Sequence, residues 1–360
     1  MSPSIRFPEF TGEWEKCKIE DITDAVSSGK SKNHFSNGEY NLYGSTGIIG
    51  RTDKALYDGK LVLVARVGAN AGFLQIINEP CGITDNTLIL KPKGIDAFYL
   101  YYFLQHFNLN RLIFGSGQPL ITGGMLKKVK VSLGTISEQS KIVKFLSLLD
   151  ERIATQVRLI EDLKKFKCAI VEKLYSEIQG KEYSYRQLFE IINERNSRLE
   201  YSNVLSASQE KGMVNREDLN LDIKFELSNI NTYKIVREGD YVIHLRSFQG
   251  GFAFSNMVGV CSPAYTIMRP KKLLEYGYLS YYFTSRKFIK SLIIVTYGIR
   301  DGRSINVDEW LDMKNIIPSK EQQQHILRTI KGFENKIEVE EMYASCLSKQ
   351  KQYLLRQMFI

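Results

Sequence analysis

The chain has 360 residues, which is too long for one ordinary domain and suits two or three. Hydrophobic residues make up 43% and charged residues 25%, which excludes a disordered or fibrous chain. The formal net charge of +9 favours a polyanionic partner.

Membrane-spanning and secreted proteins are excluded next. No run reaches the roughly 18 consecutive apolar residues that a membrane span needs, and the run at 61–67 is short and flanked by charge. Residues 1–14 hold no apolar core of a signal peptide, so we expect a cytoplasmic protein without a membrane partner. The five cysteines form no CxxC pair and no histidine lies at ligand spacing, so the sequence predicts reduced thiols and no metal site.

In chain order, the pattern first predicts a domain that mixes strands and helices. Short runs rich in β-branched and aromatic residues, such as 61–67 and 87–90, are bounded by Gly, Asn and Asp and predict strands. A short helix is predicted around 97–107. Similar strands are predicted at 241–245 and 265–268, followed by a helix around 279–289.

These two regions are related by an internal repeat. Residues 59–66 (GKLVLVAR) lie over 239–246 (GDYVIHLR), sharing Gly, Val and Arg. Two further matches follow in the same order: the Pro-Lys pairs at 92–93 and 270–271, and YLYYF at 99–103 with YLSYY at 278–282. A repeat of this length predicts two copies of one domain.

Each copy closes with a long stretch in which apolar residues recur at alternating steps of four and three. In the first stretch they are Ile142, Leu146, Leu149, Ile153, Ile160, Leu163, Ile170 and Leu174. In the second they are Ile326, Ile330, Phe333, Ile337, Ala344, Leu347, Leu354 and Met358. When the two stretches are aligned, the polar residues that interrupt the pattern fall at the same positions: Gln156 matches Glu340, and Lys167 matches Lys351. A 3.5-residue period over about five heptads predicts a coiled-coil seam.

Each long helix, of about 40 residues, would be roughly 60 Å long at about 1.5 Å per residue. Neither can bury its stripe alone, so we expect them to pair as an antiparallel coiled coil. Two ordinary core helices in a bundle are the alternative, but a bundle needs further helices of similar length. The predicted fold class is α+β with pseudo-twofold symmetry: a domain at 1–136, a helix at 137–180, a domain at 181–319 and a helix at 320–360.

Common catalytic signatures are missing from the sequence. Residues 29–31 (GKS) resemble the end of a phosphate-binding loop, but Asp24 stands where that motif needs Gly. No two prolines are adjacent, which excludes the Asn/Asp-Pro-Pro-aromatic motif of amino-methyltransferases. The four histidines are scattered, and no Gly-x-Ser-x-Gly sequence occurs. We therefore predict no catalytic residues.

The order of these features resembles the specificity subunit of type I restriction-modification systems, and the resemblance covers nearly the whole chain. Its markers begin with 6–14 (RFPEFTGEW) and 18–22 (KIEDI). Residues 43–50 (YGSTGIIG) and 99–103 look like recognition-domain segments of that family. Residues 137–142 (SEQSKI) and 321–326 (EQQQHI) look like its helix starts.

The resemblance implies a sequence-specific DNA-binding subunit without catalysis. Each target-recognition domain would read one half of a split target in double-stranded DNA, and the paired helices would set the unspecified spacer. Two modification subunits would dock on the helices, bring S-adenosylmethionine and methylate an adenine in each half-site; this chain would bind no cofactor. A motor-nuclease restriction subunit can join them. Half-sites about 34 Å apart, one DNA turn, are compatible with such helices.

Polar and cationic residues in and beside predicted loops are the candidates for DNA binding, because such side chains read base edges and hold phosphates. In the first domain they are Tyr43, Ser45, Thr46, Arg66, Asn70, Gln118, Thr122, Lys127, Lys128 and Lys130. In the second they are Arg246, Gln249, Tyr297, Arg300, Arg303 and Ser304.

Several alternatives stay open. Arg66 and Arg246 are repeated, so they can equally be structural residues at strand ends. The polar interruptions in the helices either set the helix register or bind a partner. For the whole chain, the rival functions are a non-catalytic coiled-coil scaffold that joins two protein-binding domains, and an enzyme with an unrecognised site.

Overall fold

The runs of β-branched residues form short strands, and the heptad stretches form two long helices. The computed structural model describes residues 3–32, 37–113, 119–208, 211–219, 227–244, 251–297 and 304–360. Packing divides the chain into two units, Met1–Arg158 with Glu341–Ile360, and Leu159–Glu340. Because this division cuts both long helices, each of them contributes to both units.

The first unit contains a mixed set of short elements. Its strands are β1 Glu15–Lys18, β2 Thr23–Ser28, β3 Tyr40–Gly44, β4 Gly47–Thr52, β5 Lys60–Ala65, β6 Leu74–Asn78, β7 Cys81–Ile83, β8 Thr87–Pro92 and β9 Lys130–Leu133. Its helices are α1 Ala97–Phe107, α2 Gly123–Lys127 and the first part of α3 Ile136–Ser176. The strands form an antiparallel sheet of order β2-β8-β5-β6, a three-stranded sheet β4-β3-β7 and the pair β1-β9.

The second unit repeats this plan. Its strands are β10 Lys181–Ser184, β11 Phe189–Ile192, β12 Leu205–Ser208, β13 Gly212–Asn215, β14 Lys234–Val236, β15 Tyr241–Ile243, β16 Phe252–Phe254, β17 Gly259–Cys261, β18 Thr266–Pro270, β19 Thr296–Tyr297, β20 Ser304–Ile305 and β21 Lys314–Ile317. Its helices are α4 Tyr185–Leu188, α5 Tyr278–Tyr282, α6 Arg286–Ser291, α7 Val307–Asp312 and the first part of α8 Lys320–Met358. Its main sheet has the order β11-β18-β15-β16.

The two main sheets therefore share one topology, and the repeated segments occupy equivalent strands. Val62 of β5 pairs with Leu90 of β8, and Val242 of β15 pairs with Ile267 of β18. The turns that enter β5 and β15 each need a glycine, because Gly59 has φ +92° and Gly239 has φ +90°. The duplicated α+β fold predicted from the sequence is confirmed.

The helix after each main sheet differs between the units. The helix predicted at 97–107 is α1, which begins after Asp96, whose carboxylate accepts hydrogen bonds from two backbone N–H groups. The single helix predicted at 279–289 is wrong. The structure has α5 and α6 instead, because the Ser285 hydroxyl caps α6 by accepting a hydrogen bond from the Phe288 N–H.

Each core extends from the main sheet onto both long helices. In the first unit, Leu100 of α1 packs in one cluster with Ile142 of α3 and Leu355 of α8. In the second unit, the Tyr185 and Trp310 rings stack at 4.3 Å, in a cluster that includes Ile330 of α8. Each sheet domain therefore shares its apolar core with both long helices.

In the first unit, Asp150 of α3 contacts Lys351 of α8, and Arg152 of α3 contacts Tyr343 of α8. Residue numbers rise along α3 as they fall along α8, so the two helices run antiparallel there. In the second unit, Lys167 of α3 contacts Glu334 of α8. No helix in the described part of the chain combines the length and apolarity that a membrane crossing requires.

Candidate nucleic-acid interface

In the first unit, three loops meet at one end of the main sheet. The Arg66 backbone, just after β5, donates to the Asn86 carbonyl at 2.9 Å and accepts from the Ile121 N–H at 2.8 Å. The Ser45 hydroxyl donates to the same Asn86 carbonyl at 3.3 Å. The structure thus brings together Ser45, Arg66 and the loop before Thr122, which lie far apart in the sequence.

The Arg66 side chain is the one among these with incomplete hydrogen bonding. Its Nη1 lies 3.3 Å from the Ser28 hydroxyl, while its Nε is buried and has no hydrogen-bond partner within the described residues. A buried guanidinium N–H without an acceptor is unfavourable. Arg66 as a whole is half-buried, so part of its side chain reaches the surface at this end of the sheet.

The hairpin of β3 and β4 carries Tyr43, Ser45 and Thr46. Thr46 is exposed at its turn, and the Gln75 amide holds the turn by donating to the Gly44 carbonyl at 3.0 Å. The Tyr43 hydroxyl points elsewhere: it donates to Glu79 Oε1 at 2.6 Å. Burial, followed by that hydrogen bond, raises the pKa of Tyr43. Tyr43 is engaged inside the domain, whereas Thr46 faces solvent.

The remaining candidates of the first unit lie at the ends of α2, in β9 and in the turn after β5. Thr122 caps this helix, its hydroxyl accepting from the Met125 N–H at 3.2 Å, and Asn70 is exposed in the turn after β5. Three exposed cations follow at the other end of α2 and in β9: Lys127, Lys128 and Lys130. Gln118 lies outside the described residues.

In the second unit, Arg246, Gln249, Arg300 and Arg303 also lie outside the described residues. The backbone N–H of His244 donates to the Gly251 carbonyl at 2.8 Å. This bond holds together the two ends of the segment that carries Arg246 and Gln249.

Tyr297, Ser304 and His244 border the segments that carry the candidate residues of the second unit. Tyr297 pairs with Ser304 in β19-β20 and donates its hydroxyl to Glu309 at 2.8 Å. Burial lowers the pKa of His244, whose ring lies 6.1 Å from that of Tyr265. His244 therefore packs beside Tyr265, directly before the segment that carries Arg246 and Gln249.

Sequence reasoning missed a basic surface on α6. Arg286, Lys287 and Lys290 are exposed there, and two exposed apolar side chains follow, Ile293 at 70% and Ile294 at 74%. This surface directly precedes the β19-β20 hairpin. Its signal in the sequence is the run of three cations within five residues, 286–290.

The predicted coiled-coil residues lie on the covered faces of the long helices, and those near the helix ends, such as Ile142 and Ile330, belong to the domain cores. All are buried or half-buried: Ile142, Leu146, Leu149, Ile153, Ile160, Leu163, Ile170, Leu174, Ile326, Ile330, Phe333, Ile337, Leu347, Leu354 and Met358. Gln156 is buried, and Lys167, Glu340 and Lys351 are half-buried. The heptad pattern missed Val171, Tyr175 and Leu355, which are buried by the sheet domains.

A second apolar face of each long helix stays exposed. On α3 it consists of Leu148, Leu159 and Phe166, and on α8 of Val339, Met342 and Tyr353; we call these residues the outer stripe. Their spacings place them on one face of each helix. Among the described residues, no group of three or more His, Cys, Asp or Glu side chains is arranged to hold a metal.

The chain is similar to known specificity subunits over most of its length. Residues 11–165 match the family model described as type I restriction modification DNA specificity domain. A putative type I restriction enzyme specificity subunit (MjaX) of Methanocaldococcus jannaschii is 24% identical over 75% of this chain and 69% of its own length. The MjaVIII specificity subunit of the same organism is 24% identical over 82% of this chain and 77% of its own length.

Solved structures share the fold. The S subunit of a type I restriction-modification system from M. genitalium matches with a TM-score of 0.57 and 15% identity, covering 100% of this chain and 99% of that one. A chain from a structure on the assembly of the type I R-M system matches with a TM-score of 0.62 and 11% identity, over 96% and 97%. The family model thus matches the first domain and most of α3, and the solved structures show that the chain has the fold of the M. genitalium S subunit over its whole length.

Proposed function

We propose that this chain selects the DNA target of a type I restriction-modification complex and leaves the chemistry to its partner subunits. The observation that carries the proposal is the duplication: two sheet domains of one topology present different loops at equivalent places. Two related but different readers suit a target with two different halves. The domains would be 1–136 and 181–319, joined by the helices 137–180 and 320–360.

The reading surface in the first domain would be the sheet end formed by Ser45, Thr46, Arg66 and the segment with Gln118. The half-buried Arg66 supports this because it lies where the three loops meet and its guanidinium donates one hydrogen bond, to Ser28. Asn70 and Thr122 flank this end, and Lys127, Lys128 and Lys130 would hold phosphates.

The reading surface in the second domain would use the segments with Arg246, Gln249, Arg300 and Arg303, next to Tyr297 and Ser304. The cations of α6 would add phosphate contacts. The +9 formal charge of the chain is consistent with both surfaces.

Protein partners would dock on the long helices. The outer stripe supports this, because exposed apolar residues on one face of a helix mark protein contact surfaces. We propose two modification subunits, which would bring S-adenosylmethionine and methylate an adenine in each half-site, and a motor-nuclease subunit that can join them. The complex would act in the cytoplasm, where the chromosome lies.

The helices would set the spacer between the half-sites. The test is to insert one heptad between Arg158 and Leu159 in α3 and one between Glu340 and Glu341 in α8, the points where packing divides both helices. Seven residues add about 10 Å at about 1.5 Å each, or roughly three base pairs at about 3.4 Å each.

The readout is genome-wide mapping of N6-methyladenine in cells that hold this chain and its modification subunit. We expect both half-sites to stay the same and the spacer to lengthen by about three base pairs. The control inserts the heptad in α3 alone, which leaves seven residues of α3 without a matching length of α8 and should abolish methylation. A protein-binding scaffold predicts no methylated split motif at all. An unchanged spacer would contradict the proposal that the helices set the spacer.

A further inference from the structure

In the first unit, a tyrosine, an acid and a lysine connect the sheet domain to both long helices. The Tyr102 hydroxyl of α1 donates to Asp150 Oδ2 of α3 at 2.8 Å. The other carboxylate oxygen, Oδ1, lies 2.6 Å from Lys351 Nζ of α8. Lys351 Nζ also lies over the Tyr102 ring, 5.3 Å from its centroid. One carboxylate thus joins three elements.

The second unit contains the same arrangement. The Tyr281 hydroxyl of α5 donates to Glu334 Oε2 of α8 at 2.7 Å, and Lys167 Nζ of α3 lies 3.1 Å from Glu334 Oε1. Tyr102 and Tyr281 are both the fourth residue of the repeated segments 99–103 and 278–282. We call these two sets the Tyr-acid-Lys triads.

The triads occupy equivalent places in the repeat, but their charges are distributed in opposite ways over the helices. In the first unit α3 supplies the acid and α8 the lysine; in the second unit α8 supplies the acid and α3 the lysine. In both units the acid belongs to the long helix that follows the sheet domain in sequence. The same connection has therefore been kept in both copies.

Apolar packing alone does not define how the helices are aligned. It is non-directional, and an antiparallel seam stays in phase after a slip of seven residues. Such a slip would place Lys351 opposite Val143 or Val157 instead of Asp150. A half-buried lysine against an apolar side chain is strongly unfavourable. The triads therefore favour one register and, through the tyrosines, one placement of each sheet domain on the helices.

We infer that the two Tyr-acid-Lys triads are positioning residues that determine how strictly the subunit discriminates between spacer lengths. This inference rests on the proposed function. The triads are not proposed to touch DNA. They act by aligning the long helices with the sheet domains, and this alignment decides where the two reading surfaces meet the duplex.

The test replaces one triad by apolar groups, with Asp150→Leu and Lys351→Met together. A matched control removes an exposed pair on α3, Asp162→Leu with Lys165→Met. The purified subunit, assembled with its modification subunit, methylates duplexes with the wild-type half-sites and spacers from two base pairs shorter to two longer. The measured quantity is the rate at the native spacer divided by the rate at spacers one base pair away.

We expect the triad variant to lower this ratio by about ten-fold, since one charge-assisted hydrogen bond is worth at least that much, while the control keeps it. The melting temperature of the triad variant should be equal to or higher than that of the wild type, because an apolar pair often replaces a partly buried ion pair without loss of stability. A purely structural role predicts the reverse, a lower melting temperature with an unchanged ratio, and that result would overturn the inference.

Tyr102→Phe keeps the test usable if the double variant does not fold, because it leaves the ion pair in place. Tyr102→Phe should also lower the ratio of rates, as the double variant does. A ratio equal to that of the wild type would count against the inference. Failure of the wild type to methylate any split duplex would instead overturn the proposed function, which is a separate result.

Discussion

Arg6 and Glu138 form a bidentate ion pair that joins the N-terminal segment to the start of α3. Arg6 Nε donates to Glu138 Oε1 at 2.6 Å, and Nη2 donates to Oε2 at 2.8 Å. The side chains are only 14% and 1% exposed. The Ile5 N–H also donates to the Gln357 carbonyl at 3.0 Å, so this segment holds the start of α3 beside the end of α8.

Breaking this pair should destabilise the first unit. We expect Arg6→Met to lower its free energy of unfolding by about 3–5 kcal/mol, because it leaves a buried carboxylate without its cation. Chemical denaturation measures the change. Arg6→Met combined with Glu138→Leu should recover most of the loss, whereas Lys141→Met, at the exposed pair with Glu9, should cost less than about 1 kcal/mol. Equal effects of Arg6→Met and Lys141→Met would contradict the prediction.

His106 should make the first unit less stable in mild acid. Burial lowers the pKa of His106, which packs against Phe103 and Phe359, so the folded state keeps it neutral. As the pH falls below about 6.5, the unfolded chain binds a proton that the folded chain does not, and the free energy of unfolding decreases.

Denaturation at pH 7.5 and pH 5.5 tests this. We expect His106→Leu to weaken the decrease, and the exposed His325→Leu to serve as the control. His244, whose pKa is also lowered by burial, leaves a residual pH dependence in the second unit. Identical pH profiles for wild type and His106→Leu would refute the assignment.

Arg66 should contribute to specificity at the first half-site. Arg66→Lys keeps the positive charge but loses the planar guanidinium, so we expect the preference for that half-site to fall by about 1–3 kcal/mol with little change in melting temperature. Competition binding with duplexes altered in either half-site measures it. If Arg66 is only a structural residue at the end of β5, the substitution will lower stability and leave the preference intact.

Lys127 and Lys128 should contribute to affinity without affecting sequence preference. Each phosphate contact contributes about 0.9 to the slope of the logarithm of the binding constant against the logarithm of salt concentration. We expect Lys127→Ala and Lys128→Ala each to reduce that slope by about one. Lys349→Ala, an exposed lysine on α8, is the matched control. A slope that changes only for the control would place the phosphate contacts elsewhere.

Phe166 should be needed for assembly with the modification subunit. Its side chain is 64% exposed on the outer stripe of α3. We expect Phe166→Asp to weaken assembly by at least about 2 kcal/mol while DNA binding by the subunit alone is unchanged. Analytical ultracentrifugation of the mixed subunits measures it, with the neighbouring Lys165→Asp as control. Wild-type assembly of the Phe166 variant would exclude this face as the docking surface.

Much of the architecture could be predicted from the sequence because it depends on local patterns. The heptad spacing of Ile142 to Leu174 sets the helix and its buried face, and the repeated Gly59 and Gly239 mark the turns before equivalent strands. Burial of Val171 and Leu355 was missed because sheet domains cover these positions, and helix periodicity contains no information about them.

The candidate site shows the same limit more sharply. Arg66 and Ser45 were proposed separately as loop residues, but their common contact, the Asn86 carbonyl, follows only from the pairing of distant strands. Tyr43 was proposed for the same reason, yet its hydroxyl is bound by Glu79. A sequence shows which residues are polar and lie in loops, but not where a side chain points.

The sequence by itself determined the duplication, the fold class and the paired helices, since each depends on periodicity and on order along the chain. The tertiary structure alone decided which residues meet: Arg6 with Glu138, Tyr102 with Asp150 and Lys351, and Tyr281 with Glu334 and Lys167. The physical reason is range. Helix and strand patterns arise from neighbours in sequence, whereas hydrogen bonds and ion pairs between elements need distances of a few ångströms, which only the packed chain sets.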